Sequence, residues 1–138
     1  MQLFAYPFEP ESVLRFQKLQ SEVSASSLCF WRYDDLHLNS RELIARGSSR
    51  LPQDYGVQRS LGGIHSDVIV MHQAKEAEIR ALMRLCREWP VRPVFAVTTK
   101  QSVEMPLAVL FEHLMFDRRR EDQIRRRRLA ASGDAAAS

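Results

Sequence analysis

The order of apolar segments predicts an α/β fold, a small sheet of about four main strands with helices packed on it. Three observations carry that expectation. Apolar runs of strand length alternate with segments of three- and four-residue apolar spacing. The alternation reads strand, helix, strand, helix, then a long connection, then the same again. A shift of 65 or 66 residues also lays one half on the other. It sets 3–6 on 68–71, Val13 and Phe16 on Ile79 and Leu82, and 28–31 on 94–97. Strands separated by helical crossovers imply a sheet covered by those helices.

Residues 3–6 (LFAY) form the first apolar run, and Pro7 and Pro10 bracket a turn after it. Pro10 suits the first turn of a helix. Val13, Phe16, Gln20 and Val23 continue that helix with one apolar face. A polar break at 24–27 precedes the aromatic run 28–33, which reads as a strand ended by Asp34 and Asp35. Asn39 or Ser40 is expected to cap a short helix through Leu43 and Ile44.

Residues 47–66 hold four of the five glycines and show no period, so they read as a long connection. Gly62-Gly63 within it precedes a strand, not a helix, which excludes a phosphate-cradling loop at a helix N-terminus. Residues 67–71 (DVIVM) form the third strand. Ile79, Leu82, Met83 and Cys86 define an amphipathic helix ending near Trp89-Pro90. Residues 94–97 (VFAV) are continuously apolar, the pattern of a strand buried on both faces. Pro106 disfavours helix at Met105, so the last helix begins there, with Leu107, Leu110, Phe111 and Leu114 as its core face.

The run from 67 to 116 resembles a small bacterial family of domains of unknown function. The residues that carry it are PVFAVTT (93–99), then MPLAVLFEHL (105–114). The resemblance implies an apolar strand, a helix, a second strand and a helix after a polar loop. It implies no activity.

Residues 1–116 therefore form a single domain, with halves 1–46 and 67–116. Residues 117–138 form an Arg-rich helical extension and, from 129, a small polar tail expected to be disordered. From Asp117 to Arg128 the extension holds seven arginines and three acids, a local charge of +4 on a chain of net +3. The body is thus close to neutral, and the basic character is one terminal device that suggests an anionic partner. Arg118, Arg119, Arg120, Arg125, Arg126, Arg127 and Arg128 are the candidate anion-binding residues. Consecutive arginines are expected to spread around the helix. Arg118–Asp122, Glu121–Arg125 and Asp122–Arg126 are i,i+4 spacings that would neutralise part of the charge. No aromatic follows Phe116, so the segment offers no stacking platform for single strands.

Ligands of open α/β sheets sit at strand carboxyl ends. That places Asp34, His72, Thr98, Thr99 and Lys100 in a possible strand-end pocket if all strands are parallel. No metal spacing links His37, His65, His72 and His113, and no nucleophile elbow is present. No cofactor or metal is implied. The expectation is a cytoplasmic, non-enzymatic binding module contacting RNA, DNA or an acidic protein through its last helix. The alternatives are an adaptor or homodimer using Phe30-Trp31 or Phe111 to Phe116, and a small enzyme at the strand ends. Cys29 and Cys86 share no redox spacing and read as buried thiols of a reducing compartment. No apolar run is long enough to span a membrane, and the N-terminus lacks the pattern of a signal peptide.

Overall fold

A computed structural model gives the protein as an α/β domain with a four-stranded mixed sheet, and it describes residues 1–46, 51–55 and 66–137, with side chains through 132. Chain order is β1 (Gln2–Tyr6), α1 (Pro10–Glu22), β2 (Ser27–Phe30), a 3₁₀ turn (Tyr33–Asp35) and α2 (Ser40–Arg46). Then follow β3 (Val68–His72), α3 (Glu76–Cys86), β4 (Val94–Val97), a second 3₁₀ turn (Ser102–Glu104) and α4 (Leu107–Ala137). Most of the long connection, including Gly62-Gly63 and His65, lies outside the described residues.

The sheet order is β2-β1-β3-β4. β1 runs parallel to β2, and β3 parallel to β4, but β1 and β3 meet antiparallel. Each half is therefore a β-α-β unit, and the units join back to back. The register sharpens the repeat. Phe4 pairs with Val70, its own equivalent under a shift of 66. An isolated bridge joins Asn39 to Pro106, equivalent positions under a shift of 67. The Trp31 amide donates to Ala5 O at 2.8 Å, and the Thr98 amide donates to Met71 O at 3.0 Å, again equivalent bonds. The sequence alignment of the halves was thus one residue short along the strands. That matters because side chains alternate faces with a period of two.

Both faces of the sheet are covered. Leu3, Ala5, Ile69 and Met71 pack with Phe16 and Leu19 of α1 and Leu82 and Cys86 of α3. Phe4, Tyr6, Val68 and Val70 pack with Leu43 of α2 and Leu107, Phe111 and Met115 of α4. Burial on both sides explains why β1 and β3 read as apolar runs with no alternation.

Several local features match their residues. Asn39 Oδ1 accepts from the Glu42 amide at 2.9 Å and caps α2. α4 begins directly after Pro106, and its first amides reach across the halves, Leu107 N to Leu38 O and Ala108 N to Leu36 O. The aromatic run 28–33 ends as a strand at Phe30, because the chain turns into the 3₁₀ turn at Tyr33. On α1 the buried positions are Ser12, Val13, Phe16 and Leu19, so Leu19, not Gln20, completes the face. α4 is helical through Ala137, whereas composition suggested a tail from Leu129. Its alanines supply the strongest intrinsic helix propensity, and the helix is already nucleated on the core.

Phe111 is fully buried and meets Tyr6 edge-on at 5.2 Å and Trp31 at 6.3 Å. It ties α4 to elements of the first half. Phe111→Ala should cost about 3–5 kcal/mol, read as a lower urea midpoint. A change within error would show that α4 does not close the core.

Candidate anion-contacting helix and the strand ends

The antiparallel seam decides which strand ends meet. Gln2 lies beside His72, and Tyr6 beside Val68. The carboxyl ends of β1 and β2 therefore open on one edge of the sheet and those of β3 and β4 on the other. Asp34, after β2, is separated from His72, Thr98, Thr99 and Lys100, after β3 and β4. The proposed five-residue pocket does not assemble, because its premise of uniformly parallel strands fails at β1–β3.

Each residue instead has a local setting. His72 Nδ1 and Thr98 Oγ1 are 2.8 Å apart, and the imidazole meets the Phe4 ring edge-on at 6.4 Å. Thr99 and Ser102 bond reciprocally across the turn that leads into the second 3₁₀ turn. The Ser102 amide donates to Thr99 Oγ1 at 3.0 Å, and the Thr99 amide donates to Ser102 Oγ at 2.8 Å. Lys100 is exposed. On the opposite edge Asp35 accepts from the Arg32 amide at 2.9 Å and from Arg46 at 3.2 Å. Asp34 is exposed and lies 3.8 Å from Arg32. These contacts are those of turns. Among the described residues no group of three His, Cys, Asp or Glu could hold a metal ion.

Asp67 is a titratable group the sequence reading passed over as part of a strand. It is 5% exposed, and its Oδ1 accepts from the Phe8 amide at 2.7 Å, pinning the turn between β1 and α1 to the start of β3. Burial pushes its carboxyl above the ordinary range. The Phe8 N–H, the nearby Ser12 hydroxyl and the Arg15 guanidinium pull it back, and Glu9 adds to the rise. Cys86 is buried and its thiol is pushed up to about 12 by desolvation, with Arg92 opposing. Half-buried Cys29 is raised for the same cause. Both are held as neutral thiols at neutral pH.

α4 holds the arginines. Its first turns are core, and Met115, absent from the sequence-derived face, is fully buried beneath them. Arg118 then ends the packed section. Its Nη2 donates to Arg92 O at 2.9 Å and its Nη1 to Pro93 O at 3.3 Å, while its Nε lies 3.8 Å from Asp122. Arg118 is thus a fastener to the approach of β4, not a free cation. The helix leaves the body past that edge, and every residue from Gln123 to Ser132 is exposed.

The seven arginines spread around the projecting section as expected, but its three acids do not. Asp117, Arg118, Glu121, Asp122 and Arg125 line one groove of about 320 Å³ against Met83, Pro93 and Phe95. Glu121, Ile124, Arg125 and Arg128 share a second. At about 100° per residue, Arg119, Arg120, Arg126 and Arg127 fall together on the other side, with Gln123 and Phe116, in roughly a third of the circumference. All three acids lie outside that arc. Of the three expected i,i+4 ion pairs, Arg118–Asp122 forms, and the other two are not within range among the described residues. Spacings of seven (119 with 126, 120 with 127) produce the sorting, a signal that was present in the sequence.

Of the rings considered for an adaptor surface, Phe30, Trp31 and Phe111 are core, and Phe116 is 60% exposed. No helix among the described residues is long and apolar enough to cross a membrane.

Residues 67–120 match the family model described as a domain of unknown function (DUF3783). That span begins just before β3 and ends in α4 at Arg120, so it corresponds to the second of the two back-to-back units and the packed part of the last helix. Comparison with curated proteins and with solved structures gives no match.

Asp67 makes a pH prediction. A carboxyl whose native pKa lies above its unfolded value stabilises the fold at low pH, and that contribution is lost as pH rises through the native pKa. Wild type should therefore lose stability relative to Asp67→Asn as pH climbs upward from the ordinary carboxylate range. Urea unfolding across that range measures it; a constant gap, or one of opposite slope, would contradict the burial argument.

Proposed function

We propose that the chain is a cytoplasmic, non-enzymatic binding module, in which a folded α/β body presents an Arg-rich helix to an anionic partner, RNA, DNA or an acidic protein. The observation that carries this reading is the exposed set of Arg119, Arg120, Arg126 and Arg127 on one side of α4, with Asp117, Glu121 and Asp122 on the other side and Glu112 two turns before Arg119. Exposed cations with no ion pair among the described residues attract counter-charge over a Debye length. The body supports the reading as an anchor: the helix is fastened by Phe111, Met115 and Arg118, so the arginines are carried on a continuous helix. The placing of Asp34 and of His72 and Lys100 at opposite edges of the sheet supports a binding role over a strand-end site.

Heparin chromatography checks the reading with a generic polyanion. The full chain should be retained and elute only at raised salt. Replacing Arg119, Arg120, Arg126 and Arg127 by Gln should abolish most of that retention while the circular dichroism spectrum and thermal midpoint stay close to wild type. Unchanged elution of the variant would remove the helix from the function.

A further inference from the structure

The four outward arginines form two rows. Arg119 with Arg126 makes one and Arg120 with Arg127 the other, each pair about 10.5 Å apart along the axis. The rows lie roughly 100° apart around the helix. Between them runs a ridge of Phe116, Gln123 and Ala130, uncharged from Phe116 onward, with Glu112 one turn before it. Two parallel rows flanking a neutral ridge match a groove with phosphates on both walls.

Dimensions choose the groove. A bare helix is about 10–12 Å across, and the major groove of B-form DNA is about 12 Å wide and admits a helix. The major groove of A-form RNA is too narrow. The face that would enter is accessible: Phe116, Arg119, Arg120 and residues 123–132 are exposed, while Arg118 holds the opposite side of the helix to the body. Arginine suits the walls because its guanidinium binds phosphate oxygens bidentately. The ridge offers Gln123 as its one amide for base edges, so the contact is mainly to backbone and is insensitive to sequence.

We infer that the projecting part of α4 lies in the major groove of B-form DNA, with Arg119 and Arg126 on one phosphate backbone and Arg120 and Arg127 on the other. This rests on the anion-contacting reading and narrows it to one partner.

Fluorescence anisotropy on the full chain tests it, using a mixed-sequence DNA duplex, an RNA duplex, single-stranded DNA of equal length and poly-glutamate. The DNA duplex should bind tightest, with a log–log salt slope of about −3.6 for four neutralised phosphates. Arg119→Gln with Arg126→Gln should reduce the slope's magnitude by about 1.8, and Arg120→Gln with Arg127→Gln by the same amount. Arg125→Gln with Arg128→Gln removes equal charge from the groove side and should reduce it distinctly less. Equal effects from all three double variants would overturn the two-row geometry. Preference for the RNA duplex, the single strand or poly-glutamate would overturn the partner while leaving the anion-contacting reading intact. Binding to none of the four probes, together with no heparin retention, would overturn both.

Discussion

The antiparallel pairing of β1 with β3 is the constraint on which the rest of the structure depends. Each half alone is a β-α-β unit with one open inner edge, and its inner strand is almost wholly apolar. Leu3 to Tyr6 and Val68 to Met71 are all 3% exposed or less. An uncovered apolar edge is an invitation to mispairing. Joining the halves at Phe4↔Val70 pairs both inner edges at once and leaves the short strands β2 and β4 outside. The bridge between Asn39 and Pro106 and the reach of Leu107 and Ala108 to Leu38 and Leu36 repeat the join on the second layer.

That seam has two functional consequences. It sends the carboxyl ends of the two parallel pairs to opposite edges, so the chemistry-bearing residues of one half cannot meet those of the other. It also directs α4 back along β4, where the sheet supports its first turns and then ends. The helix continues beyond the support, and its arginines leave the body with it. Arg118 marks the change, fastened to Arg92 and Pro93 on one side of the boundary while Arg119 and Arg120 are exposed just past it. The acids follow the same division. Glu121 and Asp122 stay with the groove, and the outward arginines make no ion pair among the described residues.

Much of this was legible in the residues. Apolar runs and helical spacing located the strands and helices, Asn39 announced its cap, and Pro106 fixed the start of α4. The direction of β3 against β1 was not legible, because a strand buried on both faces reads alike in either direction. The pocket of Asp34, His72, Thr98, Thr99 and Lys100 failed for that reason alone. Asp67 was hidden because its partner, the Phe8 amide, lies 59 residues away. Leu19 and Gln20 are alike to a three- and four-residue count, which tolerates either within one turn. The sorted arginines were readable through their spacing of seven. Consecutive arginines suggest a helix charged all round, and the sorting emerges only once the acids are placed on the same wheel.

Nuclear Overhauser contacts across the seam test the central claim most directly. The antiparallel register predicts backbone contacts of Gln2 with His72, Phe4 with Val70, and Tyr6 with Val68, the second lying midway between the other two. Contacts of Gln2 with Val68 and of Tyr6 with His72 would instead show parallel pairing. That result would bring Asp34 to the edge of His72 and Lys100 and undo the back-to-back joining of the two units.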